Sequence, residues 1–266
     1  RRYVVGFGLS ILMYVLSVFV EPPTRFYLWG VGLALDLLTP LFTVRLQALL
    51  PRFSTSKLTE RFGLLVIIVL GESVMGVVNG AAQQEALTLA IAVVSILGIA
   101  ITFGLWWIYF DFINRRPAKS GMGWAFAWSY LHLPLTAAIT ATGAGTLNVV
   151  SDKDLLLDPN VSLLIGCAVG ISLIVMGLLE LTLQRTPDEP THPKVSPILK
   201  FSAGTIAILF GIISPNSWVI GLQIGLLTLL LVQMGYGLYV WFTQDMPLES
   251  EAFQLSTSAD PENPPS

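Results

Sequence analysis

Three titratable side chains stand in runs that otherwise carry no charge. Asp36 lies in GVGLALDLLTP, Glu72 in FGLLVIIVLGESVMGVVNG and His132 in SYLHLPLTAAIT. No other charged residue occurs between Arg61 and Glu85. Carboxyl and imidazole groups in such surroundings can take up and release protons or hold a cation. A charge at bilayer depth costs roughly 2.5–3.5 kcal/mol on insertion scales, so it marks either function or a buried partner. Each of the three stands about eleven residues into its apolar run, which predicts one common depth near the midplane. Glu72 is expected to face a helix bundle and to meet polar groups from other spans.

Proline strengthens two of these sites. Pro40 has no N–H to offer the carbonyl of Asp36, four residues earlier, and Pro134 has none for the carbonyl of Tyr130. A titratable group beside a backbone acceptor at mid-depth is a recurring way to build an ion site. The competing reading is packing: polar side chains that hydrogen-bond across a helix interface contribute only about 0.6 kcal/mol each. Ser73 and Gly71 flank Glu72 but occupy other faces of the helix. Glu180, near the end of its span, is expected to reach water. Asp111 ends a span and reads as interfacial.

The elements that position these residues follow from composition. Of 266 residues, 54% are hydrophobic and 12% charged, against about 25% charged in a soluble domain. The chain reads as an all-α, polytopic transmembrane helix bundle. Eight segments are long enough to cross a hydrocarbon core of about 30 Å: 3–20, 26–50, 62–80, 86–110, 122–143, 160–184, 198–214 and 217–242. The first lacks an A-x-A cleavage site after it and reads as a span rather than a signal peptide. The seventh is short and carries Lys200, expected to snorkel to the interface. The alternative for 198–242 is a re-entrant hairpin closed by Ser214-Pro215-Asn216-Ser217. The Gly76/Gly80, Gly166/Gly170 and Gly221/Gly225 pairs are close-packing motifs.

Alternating the connections places all but Arg25 and Lys153 of the fourteen Lys and Arg residues on one side. The positive-inside rule makes that side cytoplasmic, with both ends of the chain there. The Pro-rich connection 185–197 holds His192, read as a solvated loop residue. Residues 244–266 are acidic and rich in Pro and Ser, the composition of a disordered tail. The single Cys167 and two histidines provide neither a disulfide nor a zinc set of ordinary spacing. No basic patch points to nucleic acid. No cofactor is implied.

Three motifs in order, ERFGLLVIIVLGES, FGLWWIYFD at 103–111 and YLHLPL at 130–135, resemble the bacterial low temperature requirement protein A (LtrA) family of multi-pass membrane proteins. The resemblance covers roughly residues 1 to 243. It implies membrane location and gives weight to Glu72, Asp111 and His132 through motif membership. The family's N-terminal Glu-Leu-Phe-Phe-Asp-Leu-type motif has no counterpart here, so the chain is expected to lack the first helices of such a protein.

Two functions follow as expectations. One is a proton- or cation-coupled transporter with Asp36, Glu72 and His132 as the relay and Ser73, Tyr130, Pro40, Pro134 and Asp111 in support. The other is a non-catalytic membrane protein for sensing, scaffolding or envelope adaptation, its polar residues serving as packing contacts. No nucleophile–base pair, His-Glu-x-x-His or Gly-x-Gly-Asp motif recommends an enzyme. The partners expected are the lipid bilayer and protons or a small solute. The oligomeric state is not legible.

Overall fold

The structure is a computed structural model. It describes residues 2–42, 55–152, 158–185, 189, 191–214 and 219–243. The expected end of span two (43–50), the Ser214–Ser217 turn beyond its first residue, and the acidic tail 244–266 lie outside the described residues.

Eight helices appear among the described residues: α1 (Arg2–Ser17), α2 (Thr24–Phe42), α3 (Thr55–Ala82), α4 (Leu89–Phe112), α5 (Met122–Ser151), α6 (Pro159–Thr182), α7 (Val195–Ile213) and α8 (Val219–Thr243). No strand occurs among those residues beyond an isolated bridge between Ala118 and Leu183. The chain is thus a polytopic helix bundle. Helices α3 to α8 are each long and apolar enough to cross a membrane. Helix α1 is shorter, 16 residues or about 24 Å, and α2 is not among those six.

Two bounds differ from the sequence expectation, for identifiable reasons. Helix α3 begins before residue 62, because the polar turn TSKLTER continues it without a breaker. Helix α5 runs on to Ser151, where Thr142 and Thr146 turn their hydroxyls back to carbonyls four residues earlier, at 3.1 and 2.9 Å. Helices α7 and α8 are separate elements, each of crossing length.

Local chemistry sets several ends. The Thr88 hydroxyl caps α4 by accepting from Ile91 N–H at 3.3 Å. Asp158 caps α6 by accepting from Asn160 N–H at 2.7 Å, with Pro159 in the first turn, where its missing N–H costs nothing. Between α4 and α5 the chain turns at Gly121, whose φ of 123° suits only glycine well.

By compactness the chain divides in two: α1 with α2, and α3 through α8. In the first unit the two helices lie side by side, with Gly6 against Thr39 and Gly32 against the Tyr14 ring. In the second, α6 packs most extensively against α7 and α4 against α8. Glycine makes the α6–α7 contact possible. A Cβ on Gly166 would stand 2.5 Å from Cα of Gly211, and one on Gly170 2.5 Å from the Gly204 carbonyl oxygen. Ser162 Oγ donates to the Gly211 carbonyl at 3.0 Å. Helices α3 and α5 meet through Ser73 and Gly143, where a Cβ would stand 2.6 Å from that of Ser73. The outside of this unit is apolar, with Leu64 and Ile68 on α3, Ile96 on α4, Ile212 on α7 and Leu231 on α8 exposed. Polar groups such as His132, Lys200 and Gln233 are inside, which is the distribution lipid requires.

Candidate functional site

His132 is fully buried and both ring nitrogens are engaged. Nδ1 stands 2.7 Å from the Trp128 carbonyl, which can only accept, so Nδ1 carries the proton. Nε2 is hydrogen-bonded to the Tyr109 hydroxyl at 3.0 Å, which donates to it when the ring is neutral. Rings of Phe62, Trp128 and Tyr109 surround it, at 4.6, 4.3 and 5.8 Å between centroids. Tyr130, two residues away, packs on Phe126 instead, at 6.0 Å. Pro134 sits within the continuous helix α5 and faces outward.

Glu72 lies elsewhere. The buried stripe of α3 runs Gly63, Val66, Leu70, Ser73, Val77 and Gly80. Glu72 belongs to the opposite stripe with Leu65, Ile68 and Met75, all exposed. It does not point into the six-helix unit, contrary to the expectation from sequence, and among the described residues it has no hydrogen-bond or ion-pair partner. Its neighbour Ser73 does point in, donating to the carbonyls of Val69 at 3.0 Å and Ile139 at 3.3 Å. Ile139 is seven residues beyond His132 on α5, about 10 Å along the axis. Glu72 and His132 therefore stand at different heights. Equal counts into each apolar run misled because Glu72 is the eighteenth residue of α3 and His132 the eleventh of α5.

Asp36 belongs to the α1–α2 unit and is half-buried. The Tyr14 hydroxyl donates to Oδ2 at 3.0 Å and the Ser10 hydroxyl to Oδ1. Both donors come from α1, so this carboxylate joins the two helices. Pro40 lies one turn further on within α2. Asp111, at the end of α4, pairs with Arg115 one turn later at 2.9 Å and is partly exposed.

The densest charge cluster among the described residues involves two groups that sequence alone places near water. Lys200 is fully buried and Glu180 nearly so. Lys200 Nζ donates to Glu180 Oε2 at 3.0 Å and to Ser196 Oγ at 2.8 Å, and it stands 3.7 Å from the centre of the Phe112 ring. Ser196 Oγ donates to the same Oε2 at 2.8 Å. Arg116 reaches Glu180 Oε1 at 3.4 Å, Glu189 at 3.5 Å and the Phe112 carbonyl at 2.6 Å. Lys200 does not snorkel, because Glu180 on the neighbouring helix neutralises it in place. The cluster ties the end of α6 and the start of α7 to the α4–α5 connection. Backbone bonds from Lys119 N–H to Thr182 and from Gln184 N–H to Pro117, both 2.9 Å, reinforce the junction. Sequence held one signal for it: alternating spans put Glu180 and Lys200 at the same end of adjacent helices. His192, as expected, is exposed, although its backbone N–H donates to the Tyr236 hydroxyl at 2.9 Å. Among the described residues no group of three or more metal-ligating side chains occurs.

Apolar helices of crossing length around a polar interior define an integral membrane protein of the multi-pass helical class. The profile of the bacterial low temperature requirement A protein (LtrA) family matches residues 1–232, and the chain belongs to that family. No curated protein and no solved structure matches it.

Proposed function

We propose that this protein is a proton- or cation-coupled membrane transporter in which Glu72 is the carrier group. The observation that carries the reading is Glu72 itself: a carboxyl in the middle of an exposed apolar stripe, without a partner among the described residues. A proton or cation can join and leave such a group without breaking any internal bond. Asp36 and His132 are then secondary members of the relay, since each already spends its bonding capacity on neighbours in its own unit. The excess of Lys and Arg in alternate connections supports an orientation with both ends of the chain in the cytoplasm. No catalytic step belongs to this reading.

A second reading has an observation in its favour. His132 and Asp36 are bonded as packing contacts are, which suits a non-catalytic protein for sensing or envelope adaptation. Proton flux in proteoliposomes with an internal pH dye separates the two. Flux that appears with one external solute and is abolished by Glu72→Gln supports transport. Silence in both proteins, with the variant folded, leaves the packing role.

A further inference from the structure

We propose that the interface of α8 with α4 and α7 holds a water-borne proton path, with Gln223 and Gln233 as its polar steps. The inference rests on the transport reading and adds to it a set of buried groups apart from Glu72, which lies on the exposed face of α3. The inner stripe of α8 is Val219, Leu222, Gln223, Leu226, Leu230, Gln233 and Val240. Two glutamines on a buried transmembrane stripe are costly unless their amides are satisfied, and here they are satisfied only in half. Gln223 Nε2 donates to the Val94 carbonyl at 3.2 Å and Gln233 Nε2 to the Leu199 carbonyl at 3.0 Å. Those carbonyls fix the amide orientation, because the opposite flip would set oxygen against oxygen. Both Oε1 atoms are then left buried without a donor.

Two other unmatched atoms lie along the same line. Ser95 Oγ, next to Val94, has no partner, and neither has Arg116 Nη1 in the charge cluster. Four of the six buried side-chain atoms without a partner among the described residues thus border this one route. Buried acceptors without a protein donor are ordinarily met by ordered water. Gln223 and Gln233 are ten residues apart, about 15 Å. Between them Leu226 and Leu230 are fully buried, with Leu230 seated on Gly104, where a Cβ would come within 2.9 Å of it. Two polar ends are thereby separated by an apolar collar. The Gln233 end adjoins Leu199 and so the Lys200–Glu180 pair. A proton arriving there can bind Glu180 as Lys200 releases one, with the net charge of the pair unchanged.

The test is a cysteine series in the full chain, with Cys167→Ala removing its single thiol. A hydrophilic, membrane-impermeant thiosulfonate is added on either side of the membrane. Gln223→Cys is expected to react from one side only and Gln233→Cys from the other. Each should react at least tenfold faster than Ile224→Cys and Leu231→Cys on the exposed face, and Leu230→Cys from neither side. Gln223→Cys and Gln233→Cys no faster than the two exposed-face variants would overturn the path. Gln233→Met, which keeps the length but not the oxygen, addresses what travels. A proton flux reduced at least tenfold at unchanged melting temperature supports the proton, and an unchanged flux overturns it. A parent protein that carries no proton defeats the proton and the transport reading together, while the labelling still decides whether the track is wet.

Discussion

Glu72 and Glu180 are the same side chain in two membrane helices, and they are treated oppositely. Glu180 is buried and accepts from Lys200, Ser196 and Arg116. Glu72 is exposed on an apolar stripe and meets no partner among the described residues. The difference teaches that a carboxylate inside the six-helix unit is tolerated as half of an ion pair. One on its outer face has no such partner among the described residues.

Breaking the first member should have the largest effect. Lys200→Met leaves Glu180 with the Ser196 hydroxyl at 2.8 Å and the Arg116 guanidinium at 3.4 Å, and removing one partner of a buried pair costs about 3–5 kcal/mol. Thermal melting in detergent should fall sharply, and Glu180→Gln with Lys200→Met together should recover most of the loss. A double variant as unstable as the single one would show that the pair is more than mutual neutralisation. Next in size is overpacking at the other end of the α6–α7 contact. Gly211→Leu should destabilise by about 1–3 kcal/mol or more, read as lost folded yield, because the Gly166 backbone lies within contact distance of any Cβ there. Tyr109→Phe should cost about 1–3 kcal/mol, since it strands the Nε2 of a buried imidazole; Tyr109→Phe with His132→Phe should cost less per bond lost. Smallest is Glu72→Gln, expected within about 0.5 kcal/mol of the parent, as for surface positions away from structural contacts. A melting loss as large as that of Lys200→Met would reveal a partner for Glu72 and erase the contrast on which its carrier role depends.

Much of the fold was legible. Apolar runs of bilayer length overlap each of the eight helices among the described residues, and the close-packing role of Gly166 and Gly170 was readable from their spacing. The site was less so. Depth was inferred by counting into apolar runs, but helix starts are set by polar turns such as TSKLTER, which hydropathy does not register. Lys200 was assigned to the interface because a lone lysine must snorkel. Its partner is twenty residues away, across a Pro-rich connection, and nothing local announces that the two helices lie close enough to pair. The orientation of Glu72 was misjudged for a related reason: its helix is apolar on every side, so hydrophobicity does not tell the inner face from the outer.

Composition and periodicity by themselves determined that this is a multi-pass helical membrane protein, and its motifs placed it among the low temperature requirement A proteins. Those properties depend on each segment's exchange with lipid, which sums over the residues of that segment alone. Tertiary structure decided which titratable groups are spent and which stay free: His132 on Tyr109 and Trp128, Glu180 on Lys200, Glu72 on nothing described. Those outcomes depend on which face of a helix meets which neighbour, and a rotation of one residue, about 100°, exchanges a buried partner for lipid.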